Sequence, residues 1–228
     1  MVSLHTETPM PHYHETSVPV HGSESATALL LNEAPGRLEA EYRIPSIGPQ
    51  GGNIYREFRA AGIPWATSFP NFSWPTLIRD RYRFPEKKEK AFALRDEFLA
   101  VRANYLACTN AYDRWPRSAT DIDDWVDPAL DDVLSPENMA RLRGETLEGH
   151  RVVLVCGEFA WIACMGSQLE APASREGTRL TEEELQVART RLGGSFTHGW
   201  YMGHTRRWGF ARRRTTRVLQ EVAAAAGW

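Results

Sequence analysis

The chain has 228 residues, 42% of them hydrophobic and 25% charged. That length supports one sizeable core and is short for two, and no apolar run approaches the roughly 20 residues of a membrane-crossing helix. The net charge of −2 excludes a surface that is basic all round, but it hides an asymmetry: from His204 onward six arginines face one acid, Glu221, leaving +5 there and −7 over the rest. Any polyanion is therefore confined to one face, and the plain alternative is a solvated basic helix. The three cysteines, Cys108, Cys156 and Cys164, sit in apolar stretches without paired spacing, which suggests a reducing compartment rather than a disulfide framework. The first residues lack the pattern of a signal peptide, so a cytoplasmic monomer without membrane contact is expected.

Residues 1–25 are rich in Pro, His, Ser and Thr and have no period; they read as a flexible arm ahead of a single domain over 26–228. Four histidines lie in the arm (His5, His12, His14, His21), but with no cysteines and no rigid frame they do not make a metal set. No metal and no cofactor are expected. The run from Thr27 to Leu31 fits a buried parallel strand. The stretch "NIYREFRAAG" reads as a helix with Ile54, Phe58 and Ala61 on one face and Gly62 as its stop. An aromatic-rich insertion spans about 63–100: its first part is a long packed loop, and residues 85–105 follow as a helix with Phe92, Leu94 or Arg95, Phe98 and Leu99 inward. "YLACTNAY" is a second strand. Six aspartates surround Trp125 between 121 and 132, and 136–148 makes a short amphipathic helix. "HRVVLVCG" is the clearest strand and runs into the helix "EFAWIACMG". After an acidic helix near 181–192, "SFTHGWYMGHT" gives the last strand and a basic helix ends the chain. Alternating strands and helices predict an α/β fold, a three-layer α/β/α sandwich around a parallel sheet of about four strands.

Sites in such sheets form at the carboxyl ends of the strands. Here those ends read "NEAPG", "CTNAYDRWP" and "GHTRRWG", whereas "CGEFAWIACMG" looks structural. "NEAPGRLEAEYRIPSIGPQGG" resembles the first motif of the uracil-DNA glycosylase superfamily, especially its iron–sulfur branch: Gly-Glu-Ala-Pro-Gly, an acid three residues on, then Gly-x-Pro-Phe-Val-Gly. "CTNAY" is similar to the family's base-reading strand end, "LVCGEFAWIACMG" to its strand, glycine and helix, and "GHTRRWG" falls where the family has His-Pro-Ser. The resemblance covers about 27–62 and 104–220, and its four pieces stand in the family's order.

The resemblance implies a monofunctional DNA glycosylase, which breaks a C–N bond through an oxocarbenium-like state. That chemistry wants a carboxylate to hold water at the anomeric carbon, a donor for charge on the departing base, and a pocket for a base taken out of the stack. It assigns the carboxylate to Glu33 or Glu39, with Glu39 preferred, although either could instead cap a turn or helix. Ala34 and Pro35 join the base site, with Pro35 and Gly36 shaping the turn so that backbone approaches the ligand. Asn110 reads the base with an amide that both donates and accepts, and His204 donates to the leaving group. Arg206, Arg207 and Trp208 enter or flank the minor groove, and Arg212, Arg213 and Arg214 meet phosphates.

The chain departs from the family in ways that bear on substrate. The iron–sulfur branch holds its cluster with four cysteines, and none of the three here is placed for it, so no cluster is expected. Ser46 stands where the family has the Phe that stacks on a flat pyrimidine, a contact worth about 1–3 kcal/mol. The His-Pro-Ser triplet is His-Thr-Arg. A missing stacking ring beside a long aromatic insertion favours a base larger than uracil, such as the glucosylated hydroxymethylcytosine of phage DNA, and with it a role in antiviral defence by analogy. The alternatives are a conventional uracil-DNA glycosylase of base-excision repair, a silent nucleic-acid-binding protein, and a nucleoside or nucleotide hydrolase.

Overall fold

The computed structural model describes residues 18–69, 85–114, 130–145, 149–167, 172–208 and 212–228. The strands are β1 (Ala28–Asn32), β2 (Leu106–Asn110), β3 (Val152–Val155), β4 (Thr178–Arg179) and β5 (His198–Tyr201). They form one sheet in the order β2-β1-β3-β5-β4. β2, β1, β3 and β5 are mutually parallel, as the alternating pattern predicts, and β4 adds a two-residue antiparallel edge. Two residues with no apolar alternation leave no strand signal in the sequence, which is why β4 was not expected.

Helices cover both faces. α1 (Arg37–Tyr42), α2 (Pro49–Ala60), α3 (Pro64–Thr67) and α4 (Pro85–Ala103) follow β1. α5 (Leu130–Val133) and α6 (Pro136–Gly144) follow β2, and α7 (Glu158–Met165) follows β3. α8 (Pro172–Arg175), α9 (Glu182–Leu192) and, after a 3₁₀ turn at Thr205–Arg207, α10 (Arg212–Ala226) complete the chain. Successive residues of a strand point to opposite faces, and the core divides accordingly. Leu30 and Leu154 pack with α2, α3, α4 and α10, while Leu29, Leu31, Val153 and Val155 pack with α5, α6, α7 and α9. This is the expected three-layer α/β/α sandwich, with β1, β2 and β3 fully buried on both faces.

Three local expectations change. The proposed arm holds a structured portion: Val18 is buried, His21 bridges Cys108 on β2, and Ser23 donates to the carbonyl of Ala103. Residues 18–25 are therefore packed along the sheet edge, and the remainder of the arm lies outside the described residues. In the aromatic insertion, α3 stands at the start of the expected packed loop, and its Trp65 and Ala66 join Phe69 in the core; residues 70–84 and the aspartate-rich 121–129 lie outside the described set. The turn after β1 contains α1, capped by Glu39 reaching back to the Gly36 amide. No described helix is long and apolar enough to cross a membrane.

Candidate functional site

Parallel strands bring their carboxyl ends to one edge of the sheet, where Asn110, Asn32 with Glu33, Gly157 and His204 fall on or just after β2, β1, β3 and β5. Glu33 and His204, far apart in the chain, meet there: the His204 Nε2 lies 3.2 Å from Glu33 Oε2, with the two side chains 27% and 21% exposed. The other carboxylate oxygen, Oε1, accepts the backbone N–H of Glu158 at 2.6 Å, at the amino end of α7. Unpaired amides and the helix dipole favour negative charge at that position. Gly157 makes the seat possible. Its φ is +96°, and a Cβ there would fall 2.0 Å from Glu33 Oε1. The "CGEFAWIACMG" end, which looked structural in the sequence, thus holds the carboxylate of the site.

Asn110 ends β2, wholly buried, and neither its Nδ2 nor its Oδ1 finds a partner among the described residues. Its backbone is locked while its amide is not. The carbonyl of Asn110 accepts from Arg141 Nη2 at 2.7 Å, and Arg141 pairs with Glu145 at 2.6 Å. Glu145 in turn accepts from the Thr109 hydroxyl; burial pushes its carboxyl above the ordinary range, opposed by Arg141 and Thr109. The amide of Ala111 donates to the carbonyl of Asn32, tying this strand end to its neighbour.

The His204 loop has its own support. Gly203 has φ +61°, and a Cβ there would lie 2.4 Å from Glu176 Oε1. The exposed Arg207 guanidinium comes within 3.9 Å of the same carboxylate. A small cleft beside this loop is lined by Glu176, Met202, Arg207, Trp208, Arg214 and Thr215. Arg212 is largely exposed, 3.6 Å from the buried Glu57. Arg213 is exposed on the first turn of α10, and of Arg206 only the backbone, in the 3₁₀ turn, is described.

Three expected site residues do other work. Glu39 is buried, with Oε2 taking the Gly36 amide at 2.6 Å and Oε1 the Ser46 amide at 2.5 Å; it clasps the turn and is not among the groups meeting at Glu33. Burial pushes its carboxyl up to about 7, against the pull of the amides of Gly36, Ser46 and Ile47 and of Arg102. Ser46 opens no space for a larger base. It is fully buried at φ +59°, its hydroxyl accepts from Asn32 Nδ2, and its carbonyl accepts from Arg102. Trp208 is 1% exposed and donates its indole N–H to the carbonyl of Met202 at 3.1 Å, so it belongs to the core rather than to a groove-inserting tip. Ala34 and Pro35 lie in the turn between Glu33 and α1, with Pro35 buried and Ala34 packed against the α7 side of the core.

Sequence reasoning missed Arg102, Asn32 and Arg141. Arg102 carried a signal: it continues the inward stripe of Phe98 and Leu99 at helical spacing, and it is 1% exposed with its guanidinium on the carbonyls of Pro45 and Ser46 and on His21. Asn32 and Arg141 carried none. Among the described residues no group of three or more His, Cys, Asp or Glu is placed to hold a metal ion. No protein-family model matches the chain, and no curated protein sequence matches it.

Proposed function

We propose that the protein hydrolyses the N-glycosidic bond of a non-standard pyrimidine in DNA, leaving an abasic site, with modified cytosines such as glucosylated hydroxymethylcytosine, and uracil, as the candidate bases. The observation that carries this reading is the 3.2 Å contact of Glu33 and His204, at the sheet edge that also bears the Asn110 amide, which has no partner among the described residues. A carboxylate accepts in four lone-pair directions, and in the proposed reaction one of them takes the water. Glu33 therefore replaces Glu39 as the group that orients water and steadies the oxocarbenium-like carbon. His204 donates to the departing base, and Asn110 reads its hydrogen-bonding edge. Arg207, Arg212 and Arg213 supply phosphate contacts that position the duplex without reading sequence.

Two observations weigh against the silent binder and the nucleotide hydrolase. A buried amide left without partners costs about 1–3 kcal/mol, and a fold kept only as a nucleic-acid-binding surface gains nothing from retaining one. The helix end after a strand, where doubly wound folds seat a phosphate, is occupied here by the Glu33 carboxylate, which would repel a free nucleotide's phosphate. Excision of modified cytosine suits defence against DNA that carries it. The test is incubation of the protein with phage genomic DNAs bearing different modified cytosines, and with uracil DNA, followed by alkali. The expected result is released base and alkali-labile sites in a modified-cytosine DNA. Binding to every DNA with no alkali-labile site in any would leave only the silent binder.

A further inference from the structure

Asn32 and Asn110 are direct partners across β1 and β2, so their side chains leave the sheet on the same face. They are 3% and 0% exposed, and three of their amide atoms have no partner among the described residues: Asn32 Oδ1, Asn110 Oδ1 and Asn110 Nδ2. Unpaired buried polar atoms are costly and call for an explanation. The orientation of Asn32 is set by Ser46, whose hydroxyl accepts from Asn32 Nδ2. Ser46 in turn is held by Glu39 at its amide and Arg102 at its carbonyl. The atom of Asn32 left over is thus an acceptor, next to an amide that both donates and accepts.

We infer that Asn32 is a second base-contacting residue, and that Asn32 and Asn110 together select a pyrimidine carrying an exocyclic amino group. This rests on the base-excision reading for the class of ligand. A cytosine-type edge satisfies all three atoms at once. Its ring nitrogen accepts from Asn110 Nδ2, one amino hydrogen goes to Asn110 Oδ1, and the second goes to Asn32 Oδ1. A uracil-type edge puts a carbonyl oxygen where the amino group was, so Asn32 Oδ1 faces another acceptor and stays unpaired. Sites built to hydrogen-bond a group reject the analogue lacking it far more strongly than apolar pockets do. Both amides are closed to solvent, so a bound base implies a rearrangement of the groups packed around them.

The matched probes are free 5-methylcytosine and thymine, which share the methyl group and differ in this edge. Binding to the intact protein is measured by ligand-observed NMR. The expected result is a preference for 5-methylcytosine of about tenfold or more, the scale of one well-placed hydrogen bond. Asn32→Ala should reduce that preference to near unity, and Ser46→Ala, which releases the Asn32 amide to turn over, should also reduce it. Asn110→Ala should weaken both ligands. Equal affinity of the unmodified protein for the two bases, binding of neither, or a preference that survives in folded Asn32→Ala would overturn the inference. The unmodified-protein comparison decides even where a variant does not fold. Excision from DNA is scored separately: a preserved preference without excision refutes the glycosylase reading and leaves the amino-group selection standing.

Discussion

Trp208 follows three residues of a basic, loop-forming stretch, and next to arginines an aromatic side chain reads as a wedge for DNA. The fold gives it a different place: it packs edge-on against Phe58 at 6.3 Å between ring centres, and its N–H is satisfied by Met202. Both partners come from elements far from it in sequence or sit at its back, so nothing local announces burial. Its removal should therefore act on folding. Trp208→Ala is expected to cost about 3–5 kcal/mol, the range for a large buried aromatic, measured by urea unfolding followed by circular dichroism. Unchanged stability with lost DNA affinity would return Trp208 to the surface role. Ser46 makes the same point on a smaller scale, since one serine in a motif cannot reveal that its hydroxyl, amide and carbonyl are all committed.

The turn from α1 to the start of α2 is the element on which the site leans, because it carries Ser46 and, through it, the setting of Asn32. Its clasp is Glu39, whose carboxyl is raised to about 7 chiefly by burial. An acid with a folded-state value above its unfolded one contributes stability below about 4.5 that is lost as pH rises through about 7. His21, half-buried and lowered to about 4 chiefly by desolvation and then by Arg102, works oppositely between about 4 and 6.5, where stability rises with pH. The difference between the unmodified protein and Glu39→Gln isolates the acid. Urea unfolding from pH 5 to 8 should show the unmodified protein losing stability relative to Glu39→Gln as pH rises, with a relative slope of up to about 1.4 kcal/mol per pH unit. Parallel pH curves for the two would mean that Glu39 is not raised. The capping role itself was legible, since an acid three residues after Gly36 is the spacing of a reciprocal helix cap.

Across the whole molecule, the parallel order of the sheet was legible because its strands are short apolar runs separated by helical patterns, and each run found its place on β1, β2, β3 or β5. The strand-end location of the site followed from that order. The resemblance brought Glu33, Glu39 and His204 to that end together; that Glu33 rather than Glu39 meets His204 was not legible, because the contact depends on β1 and β5 flanking β3 and on the space left at Gly157. Those are properties of packing between distant segments, and neither charge nor spacing encodes them. The central claim, that Glu33 and His204 act as one unit on a DNA base, is tested most directly by a double-mutant cycle. Single-turnover excision from the responsive modified-cytosine DNA is measured for the unmodified protein, Glu33→Gln, His204→Ala and the double variant. Residues that act together are strongly non-additive. Each single change should slow excision by about 10²-fold or more, the scale of a positioned acid–base group, with DNA binding retained and the double variant no slower than the slower single. Losses that multiply in the double variant, or single variants that excise at the unmodified rate, would contradict the account.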